Sequence, residues 1–230
     1  LPTDINGQEY RILEGIRGIR NVIIPEGFTA LGYFAFRNCS SLTSIVIPDS
    51  VTDISYGAFS DCTGLTSITF GENSQLTSIG SLAFSGCTEL TSITFGDNSQ
   101  LTSIGLQAFS RCSSLMSITI PNHVTTIESS AFSGCYSLAV IYNNSNLLLA
   151  PGEYDYGEIG LHALLIVDRD GNQIYRSDNT DIIYLEVDDF VFEYENDVYR
   201  LVAYVGTETT VTLPTDINGQ EYRILEGIRG

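Results

Sequence analysis

There is not one lysine in this chain: all ten basic residues are arginine, set against 28 acidic ones for a net charge of −18. Phosphate backbones are held by clustered Lys and Arg, and the chain has neither a basic run nor an Arg stripe, which excludes nucleic acid as a partner. Anionic membrane surfaces are disfavoured on the same ground. No apolar stretch approaches the roughly 20 residues of a membrane helix. The longest candidate, residues 147–167, is broken by Pro151, by several glycines and by three acids, so no membrane insertion is expected in this segment. Initiating Met and signal peptide are both missing, and the chain is expected to be a piece of a longer one.

The motifs of catalysis are missing as well. There is no G-x-S-x-G, P-loop, H-E-x-x-H or dinucleotide fingerprint. His123 and His162 lie 39 residues apart, without a nucleophile or metal ligand at motif spacing. Neither an enzyme nor a cofactor is expected. The five cysteines, Cys39, Cys62, Cys87, Cys112 and Cys135, are odd in number and contain no C-x-x-C pair, which argues against a disulfide framework or a zinc site. Asp168–Gln173 reads DRDGNQ, like the start of a calcium loop. The twelfth residue counted from Asp168 is Asn179 rather than a carboxylate, and a hairpin turn explains the same letters.

What the chain does have is repetition, at two periods. The phrase Ala-Phe-x-x-Cys starts at Ala35, Ala58, Ala83, Ala108 and Ala131, with spacings of 23, 25, 25 and 23 residues. Three residues past each Cys stands Leu42, Leu65, Leu90, Leu115 or Leu138. Three further on stands Ile45, Ile68, Ile93, Ile118 or Ile141. Two beyond these come Ile47, Phe70, Phe95 and Ile120, with Asn143 in the last copy. A weaker copy precedes them, with Ile16 in the Cys slot and Ile19, Val22 and Ile24 in the apolar slots.

The pattern L-x-x-I-x-I turns alternate residues inward, as one short strand does. A single coil cannot bury its apolar side, so coils stack with strands about 4.8 Å apart. The expectation is a mainly-β leucine-rich-repeat solenoid of about six rungs over residues 12 to 142. Each rung carries a short strand and a tight helical turn at Ala-Phe-x-x-Cys. The cysteines then form a buried ladder of free thiols, because parallel Cβ vectors do not supply the disulfide dihedral.

The longer period is 212 residues: residues 1–18 and 213–230 are the same, LPTDINGQEYRILEGIRG. An identity of that length implies near-identical tandem units. The expected organisation is a β-module tail at 1–18, the solenoid at 19–142, a capping connector at 143–183 and a small β module at 184–230 that leads into the next block. Within the module, strands are expected from Ile182 onward with a turn at Glu195–Asp197, followed by strands at residues 210–214 and 220–225.

The consensus A-F-x-x-C-x-x-L-x-x-I-x-I-P, intact at residues 35–48 and 108–121, resembles that of the BspA-type leucine-rich-repeat proteins, the short-repeat class named from treponemal surface proteins. The stretches YNNSNLLLAPGEYDYG, FEYENDVYRLVAYVG and TLPTDINGQEYRIL are similar to those joining repeat blocks in that family. The middle rungs depart from the consensus with two extra residues and no Pro, which widens a turn and leaves the inward positions unchanged. The resemblance implies a cell-surface or secreted protein with a role in adhesion to matrix, to other cells or to carbohydrate.

Outward strand positions form two rows on the face expected to be concave. One is Asn21, Ser44, Ser67, Ser92, Ser117 and Val140; the other is Ile23, Val46, Thr69, Thr94, Thr119 and Tyr142. Ser44, Val46, Ser67, Thr69, Ser92, Thr94, Ser117, Thr119 and Tyr142 are the ligand-site candidates. The central rungs offer a flat uncharged strip, poor in the Trp, Tyr and Arg that anchor tight interfaces, and suited to binding carbohydrate, to carrying O-linked glycans or to no ligand at all. Two N-x-S/T sequons, at Asn38 and Asn143, are possible glycosylation sites, and Asn143 reads as the more accessible because Asn38 adjoins a buried Cys. Nine of the 13 tyrosines lie between Tyr142 and Tyr222, for β packing or for stacking on sugars. Two functions fit: a multivalent adhesin binding carbohydrate, matrix or a surface protein, and a fibre whose copies join end to end.

Overall fold

The computed structural model describes residues 18–176, 183–187, 190–195, 198–204, 216–217 and 222–229. Residues 1–17, the residue 210–214 segment and residues 196–197 of the expected turn lie outside the described residues.

The first strands are β1 (Asn21–Ile23), β2 (Ala30–Leu31), β3 (Ser44–Ile47), β4 (Asp53–Ile54), β5 (Ser67–Phe70) and β6 (Ser78–Ile79). Then come β7 (Ser92–Thr94), β8 (Ser103–Ile104), β9 (Ser117–Ile120), β10 (Thr126–Ile127) and β11 (Val140–Asn143). Odd and even strands form two parallel ladders on different sides of one coil. The long-strand ladder runs β1-β3-β5-β7 and resumes from β9 to β11, while the short-strand ladder runs unbroken from β2 to β10. Register follows the repeat: Ile45 lies against Ile68 and Ile68 against Ile93. The molecule is a mainly-β solenoid.

The Ala-Phe-x-x-Cys arc is where the structure differs from expectation. It is a string of turns rather than a helical turn. Each arc carries two residues in the left-handed region, one before Ala (Phe34, Gly57, Leu82, Gln107, Ser130) and one before Cys (Asn38, Asp61, Gly86, Arg111, Gly134), at φ between 54° and 78°. A helix cannot pass through such residues, which cost a non-glycine side chain about 1–2 kcal/mol each. What the arc gains is a third ladder. Alternate amides turn outward to the next rung, so that Phe34 N–H donates to Tyr56 O, Phe36 to Ala58 and Asn38 to Ser60, at 3.1, 2.7 and 2.9 Å. Those in between close local turns, for instance Cys39 N–H to Phe36 O at 3.2 Å. Three ladders thus satisfy the backbone of a coil that has almost no helix.

The inward residues meet their own kind in the next rung. Phe36, Phe59, Phe84, Phe109 and Phe132 stack nearly parallel, with centroids 4.8, 5.1, 5.3 and 5.4 Å apart. All five cysteines are buried and none is in a disulfide. From the second rung on, each thiol donates to the Phe carbonyl of the rung before: Cys62 to Phe36 (3.0 Å), Cys87 to Phe59 (3.4 Å), Cys112 to Phe84 (3.3 Å) and Cys135 to Phe109 (3.2 Å).

The ladder runs on past residue 142. β12 (Leu165–Asp168) pairs in parallel with β11, with Ile166 against Ile141, so residues 144–168 add a further coil. β13 (Gln173–Tyr175) then folds back antiparallel on β12 and ends the parallel stacking. The C-terminal module consists of β14 (Ile183–Val187), β15 (Phe190–Glu195), β16 (Val198–Tyr204) and β17 (Tyr222–Arg229). Its order is β14-β15-β16-β17, antiparallel except for the parallel β16–β17 pair. Phe190, Phe192, Leu201 and Ile217 make its small core.

Candidate functional site

The pleat decides which atoms of the long-strand face are free. Ile45, Ile68, Ile93 and Ile118 point inward and are buried. Between them Ser44, Ser67 and Ser92 lie in register as half-buried residues, and Val46, Thr69 and Thr94 as exposed ones. Ser117 and Thr119 are half-buried. The hydroxyls of Ser67, Ser92, Thr69 and Thr94 bond to no protein atom among the described residues, whereas Ser44 Oγ leans on Asn21 Oδ1 at 3.5 Å.

A neighbouring threonine row, one residue before each strand, does the opposite. Thr43, Thr66 and Thr91 Oγ1 donate to the carbonyls of Arg20, Thr43 and Thr66 at 3.1, 2.9 and 3.1 Å. Thr52 and Thr102 repeat the device on the short-strand side, reaching Thr29 O and Thr77 O at 3.0 and 2.9 Å. The Thr-rich rungs therefore contain two populations, one consumed in stitching rungs together and one left to solvent. Nothing in their letters distinguishes them; the register does.

The two ends of the strip are apolar. At the N-terminal end Ile23 and Val46 are 84% and 59% exposed. At the other end Val140, which the alternation assigns to the outward row, is fully buried with Leu165 and Ala139 under Val191 of β15. Tyr142 packs partly into the same cluster. The module covers this end, so Tyr142 is half-closed and the open strip runs from β3 to β9.

Accessibility of the sequons is the reverse of the sequence reading. Asn143 occupies the inward slot of β11 and is buried: its Nδ2 donates to Leu147 O at 2.8 Å, and its Oδ1 accepts from Ser145 N and Oγ at 3.1 and 2.6 Å. Asn38 sits at a left-handed turn position that swings its side chain outward, and it is exposed.

The DRDGNQ segment is the β12–β13 hairpin turn, with Gly171 at φ +82°. Asp168 Oδ1 accepts the amides of Asp170 and Asn172 at 2.9 and 2.8 Å, and Oδ2 accepts Asn172 Nδ2 at 2.9 Å. These bonds, the Asn172 side chain first, hold the carboxyl below its ordinary value of 3.8. A depressed folded-state value stabilises the turn above the unfolded value, and that contribution is lost as pH falls through the folded one. Asn172→Ala is expected to return the Asp168 titration toward 3.8 in a carboxyl-detected NMR titration, and an unmoved midpoint would show that the side-chain bond is not the cause.

The histidines have structural neighbours. His123 Nδ1 lies 3.1 Å from Ser99 O, and His162 meets Tyr136 edge to face at 5.3 Å. Among the described residues no group of three His, Cys, Asp or Glu is arranged to hold a metal ion. In the tyrosine-rich stretch, Tyr194 and Tyr199 lie 4.6 Å apart and Tyr156 packs on the main core, while Tyr154 stands exposed.

Stacked short strands, an inward Leu-x-x-Ile-x-Ile row and a solvated outward row define a leucine-rich-repeat solenoid. The chain belongs to the BspA-type leucine-rich-repeat family, whose repeat matches in six copies over residues 9–139. It is 28% identical to a leucine-rich repeat protein from Eubacterium ventriosum over 63% of this chain and 41% of that one, with a TM-score of 0.51. A leucine-rich repeat protein from Bacteroides ovatus is 33% identical over 59% of this chain and 36% of its own (TM-score 0.45). A leucine rich cell surface protein from Faecalibacterium prausnitzii is 26% identical over 86% and 56% (TM-score 0.48). The chain thus spans less than two thirds of the length of each. Comparison with curated protein sequences gives no significant match.

Proposed function

We propose that this chain is a non-catalytic binding module of an extracellular or cell-surface protein, displayed as a tandem array of 212-residue units, and that the strip from β3 to β9 takes a neutral, hydroxyl-rich ligand of the carbohydrate class. The observation that carries this reading is the set of Ser67, Thr69, Ser92 and Thr94 hydroxyls. They stand in register, uncharged, with no hydrogen bond to any described residue, on a surface of the kind repeat proteins use for recognition. Membership of the BspA-type family supports the surface location. Lacking aromatic or Arg anchors, one strip binds weakly. Repetition of the block compensates, since linked weak sites gain avidity from effective concentration without any new contact.

Glycan arrays probed with the 230-residue chain and with longer arrays test the reading. Thr94→Arg fills the middle of the strip and is expected to lower binding about tenfold or more, while stability stays within about 0.5 kcal/mol because the site is on the surface. Binding indifferent to this change, or absent from arrays and matrix proteins alike, refutes the ligand reading. The second reading, an extracellular fibre of blocks joined end to end, is favoured by the identity of residues 1–18 and 213–230, since identical units pack identically and open head-to-tail packing yields filaments. Cryo-electron microscopy of the native material separates the two, by a regular axial rise or its absence.

A further inference from the structure

The same strip is closed at one end and open at the other. At the C-terminal end, outward Val140 and Leu165 are buried beneath Val191 of the module's β15. At the N-terminal end, outward Ile23 and Val46 lie side by side in register across β1 and β3, and are the exposed apolar positions of that row. With Val22, Pro48, Glu26 and Asp49 they line a groove of about 340 Å³. We propose that this groove is the seat of a second copy of the β module, the β14–β17 sheet of the preceding block, so that consecutive blocks dock rather than hang from a flexible linker. The inference rests on the tandem-array reading.

Chain connectivity argues for that occupant. β17 spans Tyr222–Arg229, and residues 222–229 are identical to residues 10–17. β17 is held on β16, with Tyr222 against Tyr199, Ile224 against Leu201 and Arg229 against Ala203. In an array, the residue equivalent to Arg229 is Arg17, and Ile23 follows six residues later. Six residues reach at most about 20 Å, so the module's sheet lies within a few strand widths of the next block's first rung. The module already rests by Val191 on the outward row of β11 and β12 of its own block, so it is a different surface of its sheet that meets β1 and β3 of the next. The rim acids Glu26 and Asp49 would repel a second acidic surface, which leaves apolar burial of Ile23 and Val46 as the attraction.

A chain of two consecutive blocks, residues 1–212 followed by 1–230, tests this through Val46→Cys placed in the first block or in the second. The native cysteines are all buried thiols, so the introduced thiol is the reactive one, and continued silence of the others reports that the block is folded. Alkylation is expected to be at least about tenfold slower in the second block than in the first, and Ile23→Asp in the second block is expected to restore the fast rate. Equal rates in the two positions overturn the docking, as does slow alkylation that Ile23→Asp leaves unchanged. The readout uses no ligand, so failure here leaves the binding reading standing, and failure on the glycan arrays leaves docking standing.

Discussion

Phe84→Ala is expected to lower the unfolding free energy by about 3–5 kcal/mol, the range for deleting a buried aromatic. Phe84 is fully buried between Phe59 and Phe109, at 5.1 and 5.3 Å. Its backbone is also tied at both ends, with the amide donating to Ala108 O at 2.8 Å and the carbonyl accepting from Cys87 N at 3.3 Å. The arc therefore has little freedom to collapse into the cavity. Phe36, which among the described residues stacks on Phe59 at one end of the Phe column, is expected to cost less when truncated. A solenoid's stability is a sum of nearest-neighbour interfaces, so weakening the middle one also broadens or splits the urea transition. A loss below about 1 kcal/mol, or equal losses at Phe84 and Phe36, would mean that the Phe column is not what couples the rungs.

The second large effect is alkaline instability. Burial pushes the Cys87 thiol up from 9.0 to about 12. A hydrogen bond with Cys39, then burial, raises Cys62, and burial followed by a hydrogen bond with Cys135 raises Cys112. Above 9.0 the unfolded chain releases a proton that the folded chain keeps until about 12, so the unfolded state binds fewer protons and stability falls as pH rises through that window. The stabilisation is fully present below 9.0, and its loss is roughly 1.4 kcal/mol per pH unit for each such thiol. Urea midpoints measured across the window are expected to fall, and Cys87→Ala is expected to flatten the slope while lowering the starting stability. A midpoint independent of pH, or alkylation of the five thiols in the folded protein at rates near those of free cysteine, would contradict the buried-ladder account.

Much of this was legible in the letters. Leu42, Ile45 and Ile47 and their counterparts were assignable as inward from spacing alone, because a strand's period of two and a rung's period of 23 to 25 leave one consistent stacking. The cysteine ladder follows from the same arithmetic. The arc was harder. Ala-Phe-x-x-Cys has the compactness of a helical turn, yet Asn38, Asp61, Gly57, Gly86 and Gly134 sit at its left-handed positions. These residue types tolerate that region best, so the signal existed in their placement. Leu82 and Gln107 take the same backbone with no such tolerance, held there by amides reaching the next rung.

Repetition therefore determined, without coordinates, that the chain is a leucine-rich-repeat solenoid, which side chains fill it and where its outward rows run. Those properties depend on contacts between equivalent positions of neighbouring coils, and a period encodes them directly. Tertiary structure alone decided which outward residues stay open. Val140 is closed because Val191, from a module that does not share the repeat, rests on it. Asn143 is buried because the inward slot it inherited bends back onto Ser145 and Leu147. Ile23 and Val46 stand uncovered at the far end. Each outcome depends on how a non-repeating segment meets the solenoid, and no periodicity carries that information.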